Sequence, residues 1–207
     1  MFPLGTVLLP SVVLPLHVFE PRYRALVGDC LSGDREFGVV LIERGSEVGG
    51  GDVRTRVGTI ARIVDVAELG DGRLNLLAVG TERIRVLAWL PDDPYPIADI
   101  EPWPDPDRDD ESLHASINAI VGRLARVFAL ATELGAPPSP SIDPSPEPGL
   151  ASFQVSALAP LGPLDRHRLL SAPSTRSRIG LLEAMLLDVE LLLNLQLGNG
   201  TGTAEGE

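Results

Sequence analysis

The sequence predicts an α+β chain: a small β-barrel over residues 1–104 followed by an α-helical bundle over residues 105–198. Three observations lead there. The first hundred residues break into short aliphatic and β-branched runs separated by Gly, Pro and Asp, the pattern of strands and turns. One helical segment, at about 20–31, interrupts them. Beyond residue 112 the apolar spacing changes from two to three and four, the period of a helix.

In chain order, residues 6–9 and 11–14 read as short buried strands punctuated by Pro10. Val12, Val13, Leu14, Leu16 and Val18 form an apolar extended stretch, and Pro15 confines it to a sheet edge or a bulge. Glu20-Pro21 opens a helix, because proline suits the first helical position and an acid suits the positive end. Tyr23, Leu26, Val27 and Cys30 then share one face, and Ser32-Gly33-Asp34 stops the helix. Residues 37–42 are a continuous apolar strand. The glycine-rich stretch 43–56, centred on Gly49-Gly50-Gly51, lacks the Lys-Ser/Thr of a phosphate loop and reads as a flexible hairpin connection. Strands follow at 57–69, 73–79 and 82–90, the first two joined at Gly70-Asp71-Gly72. Residues 95–103 make a last strand, which Pro94 and Pro96 place at an edge.

Residues 104–111, rich in Pro and Asp, read as a solvated linker whose acids suit the start of the next helix. That helix carries Leu113, Ile117, Ile120, Leu124, Val127 and Leu134 on one face and ends at Gly135. Six prolines make 136–149 a loose connector, and short helices follow at 150–158 and 163–170. Ser174 or Thr175 can cap a final helix, about 176–197, before a disordered tail at 199–207. This helix is apolar well beyond one stripe. It is either the central helix of the bundle or, through Leu182, Met185, Leu186 and Leu192, a partner interface.

The chemistry is narrowed by what the 207 residues lack. All 17 basic residues are arginine, so the chain holds neither the lysine of a Walker A loop nor that of a Ser-Lys peptidase pair. A net charge of −12 argues against nucleic acid as a partner. His17, His114, His167 and the single Cys30 show no ligand spacing, so no metal and no cofactor are expected. Residues 2–19 are uncharged, but Pro3, Pro10 and Pro15 break any helix there, and no membrane association is expected. One cysteine fits a reducing cytoplasm.

Phe2-Pro3-Leu4, then Pro15-Leu16-x-x-Phe19-Glu20-Pro21-Arg22-Tyr23, resembles the start of the Lon protease N-terminal (substrate-binding) domain family. The likeness continues through Phe37-Gly38-Val39-Val40, Val57-Gly58-Thr59-Ile60-Ala61, Asp71-Gly72-Arg73, Gly80-x-x-Arg83 and Pro94-Tyr95. It is weaker at Leu164-Asp165 with Leu169-Leu170 and at 178–187. The resemblance implies a PUA-like barrel and a non-catalytic protein-binding module for substrate recognition, standing alone without the ATPase and peptidase modules. It nominates Phe19, Glu20, Pro21, Arg22 and Tyr23, with Phe37 nearby, as the polypeptide-binding or family-motif residues. The alternatives are an adaptor that docks on a separate ATP-dependent protease through its last helix, and a small-molecule-binding barrel. The expected partners are polypeptide substrates or that protease, with homodimerisation open.

Overall fold

The computed structural model describes residues 1–45, 47, 51–138 and 140–200, excepting the side chains of 199 and 200. Gly49 and Gly50 of the glycine triplet, and residues 201–207 of the expected tail, lie outside the described residues. The chain divides into two compact units: Met1–Pro104 with Gly162–Ser171, and Asp105–Leu161 with the residues from Ala172 onward.

The first unit contains β1 (Phe2–Leu4), β2 (Val13–Val18), α1 (Pro21–Ser32), β3 (Glu36–Arg44), β4 (Val53–Glu68), β5 (Leu74–Leu90) and β6 (Ile97–Pro102). The strands make one mixed sheet in the order β1-β3-β4-β5-β2, with β6 also paired to β5. Only β1 and β3 run parallel. The strands expected at 73–79 and 82–90 are one continuous β5. Its first half pairs with β2 (Val18↔Leu74 to Val13↔Val79) and its second with β6 (Ile84↔Pro102 to Leu90↔Ile97). A long strand that changes neighbours midway is how a small sheet curls on itself.

Residues 6–9 are not a strand. Val7, Leu8 and Leu9 are buried, but their segment crosses β4 and β5 irregularly. Ser11 N–H donates to Gly80 O (2.8 Å), Gly80 N–H to Val12 O (2.9 Å) and Thr59 Oγ1 to Leu8 O (2.6 Å). Pro10 has no N–H for a ladder, so turn and side-chain bonds satisfy the buried backbone instead. Glycine is required where this crossing is closest: a Cβ at Gly80 would collide with the Leu9 carbonyl. Beneath, Phe2, Leu14, Val18, Tyr23, Leu26, Val27, Phe37, Val39, Ile63 and Leu76 share one core.

α4 (Pro163–Leu170) lies in this unit although its sequence falls within the span expected for the bundle. Arg83, 4% exposed, holds it: the guanidinium donates to Leu170 O (2.8 Å) and Trp103 O (2.9 Å) while lying 4.0 Å from the Trp103 ring centroid.

The second unit opens with a 3-10 turn, Glu111–Leu113, followed by α2 (His114–Glu133), α3 (Pro148–Leu158) and α5 (Thr175–Gly200). Gly135 at φ 93° lets the chain leave α2. With its leading turn, α2 reaches a mean hydropathy of 1.2 over 18 residues, enough by length and composition to cross a membrane. Its pattern is amphipathic, however: Ile117, Ile120, Leu124 and Val127 are buried and α2 packs on α5, while Arg123 pairs with Glu190 of α5 at 2.6 Å. Ser174 caps α5, accepting from Ser177 N–H (3.1 Å).

Two expectations need correction here. Residues 104–111 are not simply a solvated linker. Asp105 is buried in a bidentate pair with Arg178, and Asp107 accepts the backbone N–H groups of Thr175 (2.7 Å) and Arg176 (3.0 Å) at the start of α5. Nor does the nominated partner surface of the last helix survive whole. Leu182 and Leu186 are fully buried and Met185 is 8% exposed, because they form the inward stripe of α5. Leu192 is exposed, together with Leu187, Leu191 and Leu195.

Candidate functional site

The two end strands of the sheet, β1 and β2, lie on either side of one groove. It has a volume of about 170 Å³ and is lined from β1 by Phe2 and Leu4, from β2 by Pro15 to Val18, and from the helix entry by Phe19, Glu20 and Tyr23, with Glu47 alongside. The groove exists because the ends do not pair with each other. Pro3 and Pro15 sit mid-strand in β1 and β2, and a residue without an N–H cannot complete a ladder across the gap. The same prolines disfavour adding a foreign strand along either edge, so what the groove offers a ligand is mainly side-chain burial.

Its floor is aromatic and buried. The Phe2 and Tyr23 rings stack with centroids 4.1 Å apart and planes 11° from parallel, and Phe37 braces Phe2 from behind at 6.0 Å. Burial pushes the Tyr23 phenol up to about 12, so its hydroxyl is neutral at any physiological pH. The rim is mixed. Phe19 is 50% exposed, and the His17 ring stands 6.2 Å from it, with Nδ1–H donating to Asn75 Oδ1 at 2.8 Å. Glu20 accepts from Arg22 Nε at 3.1 Å. Arg22 also donates to Glu47 O (3.2 Å) and lies over Tyr23, 4.5 Å from the ring centroid. The Glu47 carboxylate in turn accepts the Gly5 N–H.

The nominated residues thus separate by role. Phe19 and Glu20 are on the rim. Pro21 occupies the first turn of α1 and fixes its entry. Arg22 ties the helix entry to the 47 region, while Tyr23 is floor and Phe37 is core behind it. Phe2, Leu4, His17 and Glu47 were not nominated. Phe2 and Leu4 had a signal, being part of the Phe2-Pro3-Leu4 motif. Glu47 had none, because it sits in a glycine-rich connection with no periodicity. Other motif residues are scaffold: Gly58 gives the Val39 carbonyl room, as Gly80 does for Leu9, and Arg83 anchors α4.

Among the described residues no group of three or more His, Cys, Asp or Glu is placed to hold a metal ion. Cys30 Sγ donates to Glu36 O (3.1 Å), and burial raises its thiol, the opposite of an activated nucleophile.

The model of the ATP-dependent protease La (LON) substrate-binding domain matches residues 1–188. The chain belongs to this family. Among curated proteins, the Lon domain is 28% identical over 180 residues to a Lon protease of Desulfosudis oleivorans, covering 84% of this chain and 21% of that protein. It is 30% identical over 189 residues to Lon protease 2 of Sorangium cellulosum, covering 88% of this chain and 23% of that protein. The chain therefore spans under a quarter of the length of these relatives. Among solved structures, a Lon N-terminal domain protein from Xanthomonas campestris superposes with a TM-score of 0.64 at 30% identity, covering 88% of this chain and 95% of that one. The N-terminal domain of a Mycobacterium avium complex Lon protease gives 0.61 at 16% identity, over 91% of this chain and 96% of that one, a likeness of fold. The α+β architecture expected from sequence is thereby established for this Lon domain.

Proposed function

We propose that this chain is a non-catalytic polypeptide-recognition module that takes apolar side chains of unfolded segments into the groove between β1 and β2. The observation that carries the reading is the groove's composition: a buried aromatic floor, Phe2 on Tyr23, beneath an exposed Phe19. An exposed aromatic beside a prepared apolar slot costs solvation unless something covers it. The volume, about 170 Å³, suits one large side chain; sites for drug-sized ligands run to roughly 300–1,000 Å³. Burying one Leu or Phe side chain is worth about 1.5–3 kcal/mol, so a single anchor gives weak, reversible capture, as a module sampling many sequences requires.

The test is fluorescence anisotropy with labelled unfolded model polypeptides. Saturable binding that Phe19→Ala weakens about five- to tenfold supports the reading. Binding unchanged by Phe19→Ala moves the site elsewhere.

A second reading is favoured by the exposed Leu187, Leu191 and Leu195, spaced by four along α5. In it the Lon domain serves as an adaptor on a separate ATP-dependent protease, or self-associates, through this stripe. Sedimentation of the purified chain, alone and mixed with a purified Lon protease, tests it: a complex or dimer lost in Leu187→Ser/Leu191→Ser supports docking, and a chain that stays monomeric alone and forms no complex in the mixture rejects it.

A further inference from the structure

The formal charge lining the groove is of one sign. From it we infer the class of segment the groove selects: one in which an arginine or lysine stands beside the apolar anchor. The inference rests on the groove being a polypeptide site and adds what that site prefers.

The lining contains two carboxylates, Glu20 and Glu47, and no arginine. Each has one oxygen engaged, Glu20 Oε2 by Arg22 Nε and Glu47 Oε1 by Gly5 N–H. Among the described residues the second oxygen of each has no partner. Arg22 offsets one of the two charges, but its guanidinium is committed to Glu20, to the Glu47 carbonyl and to the face of Tyr23. His17 adds no acceptor through Nδ1, which is bound to Asn75. Two carboxylates against one guanidinium leave the rim net negative, in a chain whose overall charge of −12 adds to the attraction for cations.

Phe19 completes the arrangement. Its half-exposed ring can receive the alkyl stem of an arginine or lysine, and a guanidinium can lie against its face. With its apolar neighbour on the Phe2–Tyr23 floor, such a side chain brings its charge to the open carboxylate oxygens. An aspartate or glutamate at the same place meets repulsion from Glu20 and Glu47. Charge complementarity at a rim acts mainly on selection among partners and on encounter rate, which suits a module that must choose among unfolded chains.

The experiment uses three labelled peptides of equal length sharing one leucine anchor, flanked by arginine, serine or glutamate. Each is titrated by anisotropy at low and high salt against the wild-type chain and against Glu20→Gln/Glu47→Gln. Glutamine keeps an acceptor for Arg22 and for Gly5 N–H, and thermal unfolding checks that the variant is folded. The expected order is arginine, then serine, then glutamate. Neighbouring peptides should differ about fivefold, with the spread shrinking in high salt and in the variant. If the double variant does not fold, Glu47→Gln and the wild-type salt series decide. Equal affinities for all three, each weakened by Phe19→Ala, overturn the charge preference while leaving the polypeptide site standing. No binding by any peptide removes the polypeptide reading and this inference with it.

Discussion

Arg178 grips Asp105 with both ends of its guanidinium, Nη1 to Oδ2 at 2.7 Å and Nη2 to Oδ1 at 2.9 Å, and neither side chain is more than 3% exposed. The pair joins the first residue after the sheet-bearing segment to the first turn of α5. Around it, Arg178 Nη1 donates to Ser152 Oγ (2.7 Å), Thr175 Oγ1 donates to Asp105 Oδ2 (3.1 Å), and the guanidinium lies 3.5 Å from the Phe153 ring centroid. Three segments of the second unit therefore meet on one buried charge.

A buried ion pair is costly to break from one side, because the remaining charge keeps its desolvation penalty and loses its partner. Arg178→Met and Asp105→Leu should each lower stability by about 3–5 kcal/mol. The double change Asp105→Leu/Arg178→Met should recover a large part of the loss, since no charge is then stranded. Urea unfolding midpoints of the three variants decide. If the double variant is as unstable as the sum of the singles, the pair is not a coupled unit.

Gly80 is predicted to be intolerant of even a methyl group. Its N–H and C=O both bond to the 11–12 segment, and a Cβ would press on the Leu9 carbonyl. Gly80→Ala should cost about 1–3 kcal/mol. Gly28→Ala is the control: nothing lies within 4 Å of the added Cβ on that exposed turn of α1, and alanine should stabilise the helix by about 0.5–1 kcal/mol. Opposite shifts of the thermal midpoint check the pair of predictions. Equal shifts would mean that the crossing adjusts to the methyl.

How much of this was legible in the sequence follows from which signals are local. Pro21 at the start of α1, the face Tyr23–Leu26–Val27 and the stop at Gly135 depend on near neighbours, and they fall where periodicity and caps place them. Pro15 narrowed its stretch to a sheet edge or a bulge, and β2 is an end strand. What was not legible depends on partners far along the chain. Asp105 reads as linker because its partner lies 73 residues on. Residues 6–9 read as a strand because burial and β-branching say nothing about whether a neighbouring strand runs alongside. In α5 leucines continue past the point where α2 and α3 cover the helix, so sequence cannot separate buried Leu182 and Leu186 from exposed Leu191 and Leu192. At the groove the motif marked the helix entry but not Glu47, which only the folded chain brings there.

His114 gives a pH dependence with a definite sign. Its Nδ1 is 2.7 Å from Glu111 O and its Nε2 2.9 Å from Pro146 O. Two carbonyl acceptors are both satisfied only when both ring nitrogens carry protons. The bonds to Pro146 and Glu111 accordingly raise this histidine above its ordinary 6.5. A raised folded-state value means that the contribution to stability is fully present below the unfolded value and is lost as pH rises through the folded one. The tie between the start of α2 and the segment before α3 should therefore loosen as pH rises from 6.5 through the raised folded-state value. An NMR titration of the His114 ring should give a midpoint above 6.5, and His114→Gln should flatten the stability profile in that window. A midpoint at or below 6.5 would contradict the two-carbonyl geometry.

Phe19 and Phe37 stand in the same neighbourhood and should behave as opposites. Phe37 is 5% exposed and braces the Phe2–Tyr23 stack, so Phe37→Ala opens a core cavity and should cost about 3–5 kcal/mol. Phe19 is 50% exposed, and its replacement by alanine removes surface that the fold does not use; stability should stay within about 0.5 kcal/mol. Binding should rank them differently once folding is accounted for. At a temperature where both variants are folded, Phe19→Ala should still bind unfolded polypeptide more weakly than wild type. Phe37→Ala should recover affinity in proportion to its folded fraction, because its ring does not line the groove. Chemical denaturation run beside anisotropy on the same samples separates the two quantities. If Phe19→Ala lost stability and kept its affinity, Phe19 would be scaffold and the groove would not be the recognition surface.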